Sequence, residues 1–267
     1  MKYIKYTLKT MSLFFKTSLK QIAIFRFDFF ISVINSLLLV VGSVGGAIIV
    51  FNKVDTINGW DFYETLLVTA VFMFLQSIKN LFLAPSFSSI SGLGGELWTG
   101  SFDFTLLKPL PVQYYISVKD WAPLTVFDTL ISIVIFVIAI VEVKAALTIK
   151  GLILFVIMLI VALVILYSIM LILTAGAFWY LGTPLLWIFD SLMETGRYPV
   201  KIYPVVFKFI LTWIIPIGVV VTFPAEVLMG QLNIFEILLS IVIAVGLFII
   251  SSIFFKKSVN KYSSASS

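Results

Sequence analysis

Residues 151–180 read GLILFVIMLIVALVILYSIMLILTAGAFWY, thirty positions without one charged side chain. A helix of roughly 20 apolar residues crosses a ~30 Å hydrocarbon core, so this stretch reads as a transmembrane helix. Working outward from it, five more segments share its character, at about 27–51, 62–84, 122–142, 204–223 and 233–255. The whole chain of 267 residues is 61% hydrophobic, with a mean hydropathy of +1.15. Six spans use most of it, which leaves too little for a separate globular unit. The reading is an all-α integral membrane protein of six transmembrane helices, one domain over 1–267. Its parts are an arm at 1–26, two spans at 27–84, a loop at 85–121, four spans at 122–255 and a tail at 256–267.

There is no cysteine and no histidine. That removes disulfides, thiolate and imidazole chemistry, and the usual zinc and haem ligands. No metal, catalytic or cofactor-binding residue is assigned. Sixteen per cent of the residues are aromatic, with 26 Phe, as suits a bilayer protein. The net charge of +5 reads as membrane orientation rather than nucleic-acid binding. Lys and Arg on alternate connections divide about 15 to 3, which places both termini in the cytoplasm. Arg197, Lys201 and Lys208 are counted on the cytoplasmic side in that tally, before the fifth span. The first apolar run has no evident cleavage site and reads as a retained span.

Placed on a helix, Lys2, Lys5, Lys9, Lys16 and Lys20 fall within roughly 60° of one another. Ile4, Leu8, Met11, Phe15, Leu19 and Ile22 fill an adjoining face. That pattern is a helix in the headgroup plane with its lysines toward lipid phosphates. A plain topology anchor is the other reading. In the first span Gly42 and Gly46 form a G-x-x-x-G, and Ser43 with Ala47 repeats the small-residue spacing that lets helix backbones approach. Packing within one subunit is preferred to a dimer seam. Glu64, Glu236 and Asp128 sit near span ends and read as structural. Asn35 and Gln76 read as polar contacts between helices.

The least generic stretch is SGLGGELWTGSFDFTLLKPLP, residues 91–111. Glycines punctuate it, prolines end it, and a helix-sized piece lies between. Its glycines do not make a phosphate loop, because G-x-x-x-x-G-K-[ST] is absent throughout the chain. Farther on, Pro216 interrupts the fifth span and Phe223-Pro224-Ala225-Glu226 follows. A proline removes a backbone donor and kinks a helix. The connection between the fifth and sixth spans therefore either dips back into the outer leaflet or makes an ordinary turn.

These features together resemble the permease subunits of ABC-2 type exporters. The resemblance rests on Phe25-Arg-Phe-Asp-Phe-Phe30 and Gly100-Ser-Phe-Asp103-Phe-Thr-Leu-Leu-Lys108-Pro109-Leu110, with Arg197-Tyr-Pro199 and Phe223-Pro224-Ala225 later in the chain. It implies two permeases, alike or paralogous, facing each other across a pathway in a bacterial cell membrane. Two separate ABC ATPases would sit below and hold ATP and Mg, with no cofactor in this chain. It implies that residues 86–105 carry a coupling helix docked into the ATPase, with Glu96, Leu97, Trp98, Phe102 and Asp103 as contacts. It makes the basic arm a connecting helix against membrane lipid, and Pro216, Pro224 and Glu226 parts of a re-entrant cap. The expected substrate is amphipathic (lipid-like, drug or peptide), argued from a Phe-rich interior with no buried charge pair. An ion-coupled secondary transporter and a non-transporting assembly or immunity protein are the alternatives.

Overall fold

The computed structural model describes residues 10–14, 16–18, 26–143, 148–181 and 183–262. Among them every regular element is helical. Lys2, Lys5, Lys9 and Lys20 lie outside the described residues. Long helices run over Arg26–Phe51 (α1) and Phe62–Phe82 (α2). Four short ones follow at Ala84–Ser91 (α3), Glu96–Thr99 (α4), Phe102–Leu106 (α5) and Val112–Val118 (α6). Val126–Glu142 (α7) and Ile149–Ala177 (α8) are long again. Leu185–Met193 (α9) continues through tight turns at Glu194–Arg197 and Val200–Ile202. A bent pair, α10 and α11, spans Val205–Ile214 and Gly218–Leu228, and Ile234–Asn260 (α12) closes the chain.

One face of the body carries the 52–61 connection and the starts of α2, α8 and α12; we call it the distal face. The opposite, amino-terminal face carries α3–α6 and the end of α12. Three helices that start on the distal face, α2, α8 and α12, satisfy free N–H groups with local side-chain caps. Asp61 and Glu64 form a capping box on α2, Asn233 and Glu236 another on α12, and Thr148 caps α8. Glu64 and Glu236 are therefore cap residues. The 52–61 connection turns at Asn58 and Gly59, both with positive φ, 49° and 85°. That Asn-Gly pair is the sequence such a tight turn requires.

The core forms where α12 packs along α8, and α7 along α2. α2 is the central helix, buried on nearly all sides, whereas α1 lies outside and exposes Ile34, Leu38, Val41 and Ile49. In lipid such apolar exposure carries no penalty.

The fifth crossing differs from the expectation. It is made by 185–203, not 204–223. Asp190 meets Lys79 in the last turn of α2, toward the amino-terminal face. The Arg197 carbonyl accepts from Thr69 at 2.9 Å, half-way along α2, and the Ile202 carbonyl accepts from Asn58 at 3.2 Å on the distal face. These contacts climb α2 in reverse order, so the segment runs antiparallel to it from one face to the other. α10 and α11 then begin and end on the distal face, bent by 79°. Near their apex, a Cβ on Gly196 would lie 2.6 Å from Ile217, which sets that apex deep in the body. The pair is a re-entrant hairpin. Pro216 sits at the bend, and both arms widen there to i→i+5 bonding, Ile215 N–H to Ile210 and Phe223 N–H to Gly218. With Arg197 at mid-depth and Lys201 and Lys208 on the distal face, the 15-to-3 division of basic residues becomes 12 to 5.

Candidate functional site: a clamped surface segment and a polar membrane face

The 84–121 segment is short helices with an ionic clamp at their centre. The Glu96 carboxylate accepts from Lys119 and from the Thr105 hydroxyl, joining α4, α5 and the end of α6. Ser86 exchanges two hydrogen bonds with Asp120, at 2.7 and 2.9 Å, joining α3 to the same corner. The Trp121 N–H donates to Ser18 at 3.3 Å, and Phe14 packs edge-on against Tyr115, so the amino-terminal arm belongs to the assembly. Lys16 on that arm is exposed. Burial raises the Tyr115 hydroxyl above its ordinary pKa, against the lowering effect of Lys119.

Two expected partner contacts are corrected here. Leu97 and Phe102 are buried, at 3% and 0% exposure, and cannot be surface contacts. Phe102 meets Phe178 and Tyr262 edge-on, 5.1 and 5.2 Å between ring centres, which keys α5 into the ends of α8 and α12. Asp103 lies beside the Tyr262 hydroxyl; burial first, then this carboxylate, raises the tyrosine's pKa and keeps it neutral. Glu96 faces inward into its clamp. Trp98 alone of the expected set is outward, 57% exposed. It is joined by Leu93, Phe104 and Leu107, whose apolar exposure the sequence reading passed over. No sequence period separates them from the buried Leu97 and Phe102, because the helices here are only four and five residues long.

Gly42 and Gly46 face the fifth crossing. A Cβ on Gly46 would lie 2.3 Å from the Tyr198 hydroxyl, and one on Gly42 3.6 Å from Arg197. Tyr198 in turn donates to the Ser43 carbonyl at 3.3 Å. The small residues of α1 admit this bulky pair. Of the two polar residues expected between helices, Asn35 is exposed on α1, and the Gln76 side-chain oxygen is buried with no hydrogen-bond partner among the described residues.

The expectation of an interior without charge pairs is overturned. Lys79 is 1% exposed and pairs with Asp190. Glu226, wholly buried in α11, pairs with Lys201 at 2.9 Å. Pro224, two residues earlier in α11, is buried beside it. Charges at this depth survive only when paired. The fifth crossing also exposes polar groups at membrane depth: Asp190, Ser191, Glu194 and Thr195, with Arg197 paired to Glu194. Trp187, Ile188 and Leu192 are exposed among them. Both acids are paired, Asp190 with Lys79 and Glu194 with Arg197, as ionisable groups at membrane depth generally are.

Residues 37–266 match the family described as ABC-2 family transporter protein. The chain belongs to that family: it is a membrane-spanning permease component of an ABC transporter. Permeases of this family work with ABC ATPase partners. No curated protein and no solved structure matches it.

Proposed function

We propose that this chain is the permease subunit of an ATP-driven exporter and that a separate ATPase docks on the outward apolar face of residues 93–107. What carries the reading is the contrast within one short segment. Leu97 and Phe102 are buried and lock it to the spans, while Leu93, Trp98, Phe104 and Leu107 are held outward. Aromatic anchors on a rigid frame suit a protein interface. The amino-terminal face is then cytoplasmic, in a bacterial cell membrane, and the remaining excess of basic residues there agrees with it.

Nucleotide-driven movement of the ATPases would push α4 and α5. The Glu96 clamp carries that push to α6, and Phe102 carries it to the ends of α8 and α12. The fifth crossing lines the pathway, opposite a second permease. Its mixed face of Glu194, Thr195, Trp187 and Leu192 supports an amphipathic substrate; the earlier argument from an uncharged interior no longer does.

The test is affinity purification from the native host in mild detergent. The wild type brings down an ATPase, and Trp98→Ala with Phe104→Ala loses it without a fall in melting temperature. Absence of any ATPase, even after cross-linking, rejects the reading in favour of an ion-coupled transporter or an assembly factor.

A further inference from the structure

On the distal face a cavity of about 370 Å³ opens between the two arms of the re-entrant hairpin and the start of α12. Three charged side chains line it, Lys201, Lys208 and Glu236, together with Phe209, Trp213 and Phe223. Their charges are not equivalent. Lys201 is committed to the buried Glu226 at 2.9 Å. One Glu236 oxygen accepts the Asn233 N–H at 3.1 Å, which holds its carboxylate at the cavity rim without neutralising it. Lys208 makes no ion pair among the described residues, with Glu236 or any other carboxylate. Among the described residues the cavity thus offers a cation and an anion outside any ion pair, above an aromatic wall. Trp213 and Phe223 form that wall edge-to-face, 6.1 Å between centres. Its helical arms are both locally widened to i→i+5 bonding, a geometry concentrated at functional sites.

We propose that this cavity binds the head group of a zwitterionic membrane amphiphile, phosphate toward Lys208 and ammonium toward Glu236, with its apolar body along Phe209, Trp213 and Phe223. A purely anionic head group would meet Glu236 uncompensated, and a purely cationic one would meet Lys208. Only a ligand carrying both charges satisfies both residues. The proposal deepens the amphipathic-substrate reading and borrows only the amphiphile from it; it needs no ATPase.

The experiment uses the purified permease alone in nanodiscs and reads quenching of Trp213 by brominated lipid, taken as wild type minus Trp213→Phe. The probes are brominated phosphatidylethanolamine, phosphatidylglycerol and a phosphate-free cationic lipid. Phosphatidylethanolamine is expected to quench most. Lys208→Gln should weaken both phospholipids about tenfold, the loss of one charge-assisted contact. Glu236→Gln keeps the capping box, since Gln serves there too, and should erase the preference for phosphatidylethanolamine over phosphatidylglycerol. Equal quenching by all three lipids overturns the proposal. So does an unchanged profile in Lys208→Gln or Glu236→Gln with the melting temperature retained. Displacement of the lipid by soluble phosphoethanolamine would assign the site to a free zwitterion and reject the amphiphile. A failed ATPase purification leaves this result standing, and a failed binding result leaves the exporter reading standing.

Discussion

At Gly46 the difference between one hydrogen and one methyl is a collision. Its Cβ would sit 2.3 Å from the Tyr198 hydroxyl, while a Cβ on Gly45 meets nothing within 4 Å. Gly46→Ala should cost about 1–3 kcal/mol through overpacking, and Gly45→Ala should be near neutral. Thermal unfolding in detergent separates the two, and Tyr198→Phe should restore most of the Gly46→Ala loss. Lys79 gives a second test at this scale. Asp190→Asn leaves a buried ammonium without its counter-charge; with the Asp190 carboxylate 43% exposed, the loss should be about 1–3 kcal/mol. The double change Lys79→Met with Asp190→Leu should recover much of it. If the single and double variants melt alike, the pair is not what holds α9 to α2. From sequence, Lys79 is one more basic residue near a span end; only the approach of Asp190, 111 residues later, makes it buried and paired.

Among the elements, the 84–121 segment shows how burial sorts residues that look alike in the sequence. Phe102 and Phe104 are two apart and chemically identical, yet one is 0% and the other 69% exposed. Phe102→Ala empties a packed site among Phe178, Tyr262 and α5, which predicts a loss of about 3–5 kcal/mol. Phe104→Ala should leave stability within about 0.5 kcal/mol, as an exposed substitution does, and act on partner binding alone. Melting curves beside co-purification distinguish them. Equal destabilisation by both would mean that the segment packs differently from the arrangement described. The specific motif in this region was legible from its glycines and prolines. Its inward and outward faces were not, because helices of four or five residues are too short for periodicity to report a face.

For the whole molecule, the decisive question is which segment makes the fifth crossing. The chain has no cysteine, so single introduced thiols report topology without background. Val205→Cys, at a position 82% exposed, should label from the same side of the membrane as Asn58→Cys, and Leu107→Cys from the other. Labelling of Val205→Cys and Leu107→Cys from one side would restore 204–223 as the span. The hydropathy reading chose 204–223 because it is longer and more apolar than 185–203. The structure reverses that choice. α9 and its following turns are short, polar on one face and broken at Pro199, so no window of their sequence looks like a span. They cross because α2, α1 and the re-entrant hairpin cover their irregular backbone.

Composition and hydropathy alone specify an all-helical membrane protein. The sequence also placed five of the six crossings and the segment that resembles an exporter's coupling element. Those are properties of local composition and period, and lipid enforces them: an apolar run of sufficient length has nowhere else to go. Tertiary packing settled that 185–203 crosses while 205–228 turns back. Likewise it decided that Leu97 and Phe102 face inward, and that Lys79 and Glu226 are neutralised by residues distant or on another element. Each of these depends on what a neighbour covers, and burial of polar backbone or charge is settled by contact between segments, which no single stretch of chain encodes.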